Sequence, residues 1–126
     1  DRCGTASLDT ATGLDWGGSA GTDCDTPGFG GAGNTHSSRS GFYELNKIME
    51  IARSHLPTNN WLQQKLPSNM NINSTCNAFW NGVSVNFYLS SSTCGNTGEI
   101  AAIFDHEWGH GMDANDANGG ISSPSG

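Results

Sequence analysis

The chain is poor in positive charge. Lys and Arg together number 5 against 12 Asp and Glu, and the formal net charge of its 126 residues is −7. So few cations cannot build a basic face, which argues against nucleic acid as a partner. Large apolar residues are also scarce. Leu, Ile, Val and Phe number 7, 6, 2 and 5, or 20 of 126, under the roughly one-fifth expected of a chain with a full core. The 18 glycines pack no side chain. The length suits one small domain, but such a chain folds marginally alone. It needs disulfides, a metal or another chain against which to bury surface. No apolar run is long enough to span a membrane, and no signal peptide is visible. Asp1 is expected to be a mature N-terminus or the start of a fragment.

There are four cysteines and no Cys-x-x-Cys spacing, which favours disulfides over thiolate metal ligands. Three pairings are possible. Cys3–Cys24 with Cys76–Cys94 is favoured because local loops close most easily. Disulfides imply an exported, secreted protein. Asn73-Ser74-Thr75 is an N-glycosylation sequon.

Residues 1–36 have few apolar anchors and many Gly, Thr, Ser and Asp, so an irregular, disulfide-tied arm is expected. Asp9, Asp15, Asp23 and Asp25 fit no EF-hand calcium loop and read as solvated turn residues. Over residues 38–56, Phe42, Leu45, Ile48, Met49, Ala52 and Leu56 recur at three- and four-residue spacing. That spacing predicts an amphipathic helix ended by Pro57. Residues 70–90 read as short strands. Asn81-Gly82 signals a two-residue hairpin, and the alternation of Val83, Val85, Phe87 and Leu89 with polar neighbours predicts a half-buried strand. A second helix is predicted over residues 97–111, opened by an Asn96/Glu99 capping box and closed by Gly111. The tail, residues 114–126, is turn-forming. The expected fold class is α+β: a small antiparallel sheet with an edge hairpin, one packing helix and one motif helix.

That second helix carries His106-Glu107-Trp108-Gly109-His110, a His-Glu-x-x-His motif. Residues four apart share a helix face, so both imidazoles can reach one metal ion. Glu107 lies about 100° round the helix from His106, where it can take a proton from a metal-held water. Zinc catalysis needs a third protein ligand and one open position. Asp116 falls six residues after His110, the spacing of the third ligand in His-Glu-x-x-His-x-x-Gly-x-x-His proteases. Asp113 stands where that pattern has its turning glycine. A polar-turn reading of Asp113, Asn115 and Asp116 stays open. His36 and His55 are weaker alternatives, each at a helix boundary.

Asn77-Ala78-Phe79-Trp80-Asn81-Gly82, a following strand, Gly98-Glu99-Ile100 and the motif helix together resemble the thermolysin-like and fungalysin-like zinc metalloproteases, the gluzincins. The resemblance covers roughly residues 38–113, and residues 37–113 would form a zincin-like catalytic half-domain. It implies zinc as cofactor on His106 and His110, with Glu107 as general base. It also implies an edge strand on which Asn77 and Ala78 hold the backbone of a polypeptide substrate. Trp80 would support that strand, line the cleft, or pack in the core. In gluzincins the third ligand is a glutamate on a later helix. This chain has no glutamate after Glu107, so a C-terminal remainder or another chain is expected to supply it.

The leading expectation is a secreted zinc endopeptidase, or its motif-bearing half, probed by Glu107→Gln. The alternative is a non-catalytic structural or self-assembling fragment, motivated by the thin core and the edge strand. A purely structural zinc site would need a fourth ligand, and the sequence offers no convincing one.

Overall fold

The computed structural model describes Gly33 and residues 35–116. The Cys3–Cys24 pairing, the aspartates of the arm and the end of the tail lie outside the described residues. Helix α1 spans His36–His55, strand β1 Ser68–Ile72, β2 Ala78–Trp80, β3 Val85–Tyr88, and helix α2 Ala101–Asn115. Single 3-10 turns at Trp61–Gln63 and Thr97–Glu99 precede β1 and α2. The α+β class is borne out. Both helices extend past the expected half-domain boundaries, α1 beginning at His36 and α2 continuing to Asn115. No described helix is long and apolar enough to cross a membrane.

Helix α1 starts where Thr35, in extended conformation, accepts a hydrogen bond from Ser38 N at 3.2 Å. Such a cap supplies one of the acceptors that the first turn lacks. The helix stops at Leu56, just before Pro57, because a residue preceding proline avoids the helical region. Its buried face is Ser37, Ser38, Gly41, Leu45 and Met49. The expected apolar stripe is therefore displaced: Phe42 and Leu56 are exposed. Small residues at the start of α1 let it lie close to the turn before α2, and this carries the buried face away from Phe42.

The sheet is mixed, not antiparallel as expected. Its order is β1-β3-β2, with β1 parallel to β3 and β2 antiparallel to it. The β2–β3 hairpin forms, but its turn is centred one residue later than expected. Trp80 pairs with Val85, and Asn81 N donates to Ser84 O, leaving Gly82-Val83 at the tip. Gly82 has φ +96, which glycine adopts readily as first central residue of a hairpin turn. Val83 is thereby exposed, while Val85 and Phe87 are fully buried. Asn86, expected on a wet face, is also buried. It sits on the central strand, where its Nδ2 donates to Phe79 O and Ser84 O and its Oδ1 accepts from Asn69.

The core comprises Leu45, Met70, Ala78, Val85, Phe87 and Phe104. The Phe87 and Phe104 rings meet at a tilt of 56° with centroids 4.5 Å apart, joining the central strand to α2. Each large side chain fully buried here contributes about 1.5–3 kcal/mol. The Cys76–Cys94 disulfide is present and ties the approach to β2 to the segment after β3. Asn73 of the sequon is exposed in the loop after β1.

A buried polar chain supplements this small core. Asn71 Nδ2 donates to Thr35 Oγ1 at 3.0 Å, and Asn96 Nδ2 donates to Asn71 Oδ1 at 2.7 Å. Asn96 Oδ1 accepts from Gly98 N at 2.9 Å. The expected capping box is therefore replaced: Asn96 caps the 3-10 turn, and Glu99 instead meets His36 Nδ1 at 3.2 Å. Thr97 Oγ1 donates to Asn77 O at 2.9 Å and accepts from Tyr88 N at 2.8 Å, bridging the next rung of the hairpin. Asn96→Ala removes a cap and strands the Asn71 amide oxygen. We expect a loss of about 2–3 kcal/mol in urea unfolding; a change below about 0.5 kcal/mol, the level of an ordinary surface substitution, would deny the network its structural role.

Candidate metal centre

Helix α2 packs against α1, β2 and β3, so its faces have different surroundings. Phe104, Glu107 and Gly111 are its buried residues. His106 is exposed and His110 half-buried. At 100° per residue, His106 and His110 lie on a line well round from Phe104 and Gly111, with Glu107 between that line and the core.

The two imidazoles converge. His106 Nε2 and His110 Nε2 are 3.2 Å apart, and the rings are nearly perpendicular at 88°. Two imidazole nitrogens on one tetrahedral zinc, each at about 2.0–2.1 Å, stand about 3.3–3.4 Å apart. The pair thus has the span of a two-nitrogen chelate. The same distance also suits one ring donating a hydrogen bond to the other, which the tautomers decide.

Glu107 is 7% exposed, and among the described residues no hydrogen bond or ion pair reaches its carboxylate. Its oxygens are not among the enclosed, unpartnered polar atoms, so the carboxylate keeps contact with solvent. Its place beside the histidine line sets it next to any group held there.

The third ligand is not brought to the pair. Among the described residues, no group of three His, Cys, Asp or Glu side chains is arranged to hold a metal. Helix α2 runs through Asp113 without turning, and Asp116 is its C-cap. Six residues of helix carry Asp116 about 9 Å along the axis and a third of a turn away from His110. His36 is engaged with Glu99, and His55 is exposed at the end of α1. Among the described residues, the donor set therefore supplies two ligands of three.

Among the described residues, β2 lies at the edge of the sheet. Asn77 sits just before it, its Oδ1 accepting from Ala78 N at 2.9 Å. Ala78 is buried and Phe79 exposed. Trp80 meets Trp61 edge-on at 6.0 Å, and Trp61 in turn lies 6.1 Å from Trp108. Trp108 Nε1 approaches Met49 Sδ at 3.0 Å. These indoles clamp α2 one turn beyond Glu107. A Cβ on Gly111 would stand 2.8 Å from Trp61 Cζ2 and 3.1 Å from Trp80 Cζ3. Gly111 is thus a packing glycine inside the helix and not the stop that its position suggested. The actual end is held by Asn59 Nδ2, which donates to Asn115 O at 2.9 Å.

Neither the polar chain nor the Trp61 contact was anticipated from the sequence. The signal available was the run of asparagines at Asn69, Asn71, Asn77, Asn86 and Asn96, a residue depleted from strands. Compared with known proteins, the chain matches no family model, no curated protein and no solved structure.

The two glycines of this helix segment make opposite predictions. Nothing lies within 4 Å of a Cβ at Gly109, so Gly109→Ala should stabilise by about 1 kcal/mol through helix propensity. Gly111→Ala should destabilise by about 1–3 kcal/mol, because rigid rings must move. Urea unfolding of both variants checks this; equal effects would contradict the indole clamp.

Proposed function

We propose that the chain is the motif-bearing half of a secreted zinc endopeptidase of the gluzincin type. The reading is carried by one observation: His106 and His110 place their Nε2 atoms at chelating separation, 3.2 Å apart, beside the buried Glu107. The resemblance of Asn77-Ala78-Phe79-Trp80 and the motif helix to that family supports it.

In this reading His106 and His110 hold the ion, and a carboxylate from outside the described residues completes the ligand set. Zinc, when bound, supplies Lewis-acid polarisation of a scissile carbonyl and acidifies a water to near neutrality. Glu107 accepts the proton of the attacking water and delivers it to the leaving amine nitrogen. The edge of β2 receives an extended peptide through main-chain hydrogen bonds, with Asn77 and Ala78 at its start. Trp80, wedged against Trp61 and Gly111, holds that strand against the motif helix.

A second reading is a non-catalytic fragment that assembles with copies of itself, favoured by the one-sided pairing of β2 among the described residues. It requires a stable oligomer in sedimentation that survives chelation.

For the peptidase reading, Glu107→Gln in the protein with its third ligand present should retain zinc but lose about 10²–10⁴-fold in peptide hydrolysis, the usual worth of a general base. Undiminished hydrolysis by that variant would refute the assignment.

A further inference from the structure

Beyond the motif helix, the tip of the β2–β3 hairpin carries chemistry of its own. Asn81 and Gly82 are exposed, and a Cβ at Gly82 would meet nothing within 4 Å. The Cβ side of Gly82 is therefore open, and its amide nitrogen is the atom that closes a five-membered ring on Asn81 Cγ. Asn81 Oδ1 accepts two main-chain hydrogen bonds, from Val83 N at 2.9 Å and Ser84 N at 2.7 Å. Two donors aimed at one carbonyl oxygen are the arrangement that stabilises developing oxyanion charge in acyl transfer. Among the described residues no hydrogen bond holds Asn81 Nδ2, so the leaving amide is unrestrained.

We propose that Asn81 is a site of spontaneous deamidation in the folded protein, through a cyclic imide closed by the Gly82 nitrogen. Water or hydroxide removes the Gly82 N–H proton as that nitrogen bonds to Asn81 Cγ. The charge collects on Oδ1, facing the Val83 and Ser84 N–H groups. The Cγ–Nδ2 bond then breaks, and Nδ2 takes up a proton and leaves as ammonia. A second water opens the ring at either carbonyl, giving aspartate or isoaspartate at position 81. The balance is one water consumed and one ammonia released, with no redox partner. Each event adds a negative charge beside Trp80, and isoaspartate also lengthens the main chain where β2 turns into β3.

The buried asparagines are protected by contrast. Asn71, Asn86 and Asn96 each have the amide nitrogen engaged, on Thr35, on Phe79 and Ser84, and on Asn71 respectively. Each is followed by a larger residue, Ile72, Phe87 or Thr97.

The test is peptide-mapping mass spectrometry of the 126-residue chain, folded and urea-unfolded, after incubation in mildly alkaline buffer. Mapping separates position 81 from the Asn118-Gly119 pair. The expected result is aspartate plus isoaspartate accumulating at position 81 in the folded chain while Asn71, Asn86 and Asn96 stay intact. Val83→Pro removes one donor to Oδ1 and should slow conversion about fivefold, the rate equivalent of one net hydrogen bond. An intact Asn81 in the folded chain, under conditions that convert it in the unfolded chain, would overturn the proposal. So would folded Val83→Pro converting at the parent rate. The folded-to-unfolded comparison of the parent chain decides the matter if that variant fails to fold.

Discussion

The hydrogen bond between Asn96 Nδ2 and Asn71 Oδ1 joins the segment entering the motif helix to the end of the parallel strand β1. Asn71 adopts φ +57, a left-handed conformation that asparagine tolerates better than most side chains. There its amide reaches Thr35 on one side and Asn96 on the other. One buried amide therefore fixes the start of α1, the end of β1 and the approach to α2. A chain with so little apolar surface gains from such a network, provided that every member is satisfied.

The second anchor of α2 is steric. Gly111 admits Trp61 and Trp80 to the helix surface, and the indoles set its distance from the β2 edge. With the polar chain at one end and the indoles at the other, α2 has little freedom to rotate. Its rotation decides which residues face solvent. It puts the His106–His110 pair on the outer side and leaves Glu107 at the boundary of the core. The proposed chemistry depends on that partition, because the histidines must stay reachable while the carboxylate stays sheltered.

Some of this was legible in the sequence. A helix ending before Pro57, a strand that buries Val85 and Phe87 and the Cys76–Cys94 pairing all followed from local rules, and each is present, although Asn86 is buried between the two and Phe42 is exposed. What escaped was non-local. Parallel pairing of β1 with β3 has no local signature, since the two strands are separated by all of β2. The exposure of Phe42 follows from how α1 seats on the turn before α2, which periodicity cannot report. Gly111 was read by its backbone habit when its role is lateral, toward Trp61, fifty residues earlier. The motif pair was legible because it is local: a four-residue helical spacing sets the nitrogen separation. A third ligand drawn from elsewhere has no such spacing to announce it.

The proposed chemistry requires His106 and His110 to act as one metal-binding unit. Zinc titration of the chain, followed by the imidazole NMR resonances of its four histidines, tests this. His106 and His110 should shift together, saturably and reversibly on chelation, while His36 and His55 should not. Zinc-induced shifts at His36 or His55 with the motif pair unmoved, or no histidine response at all, would contradict it.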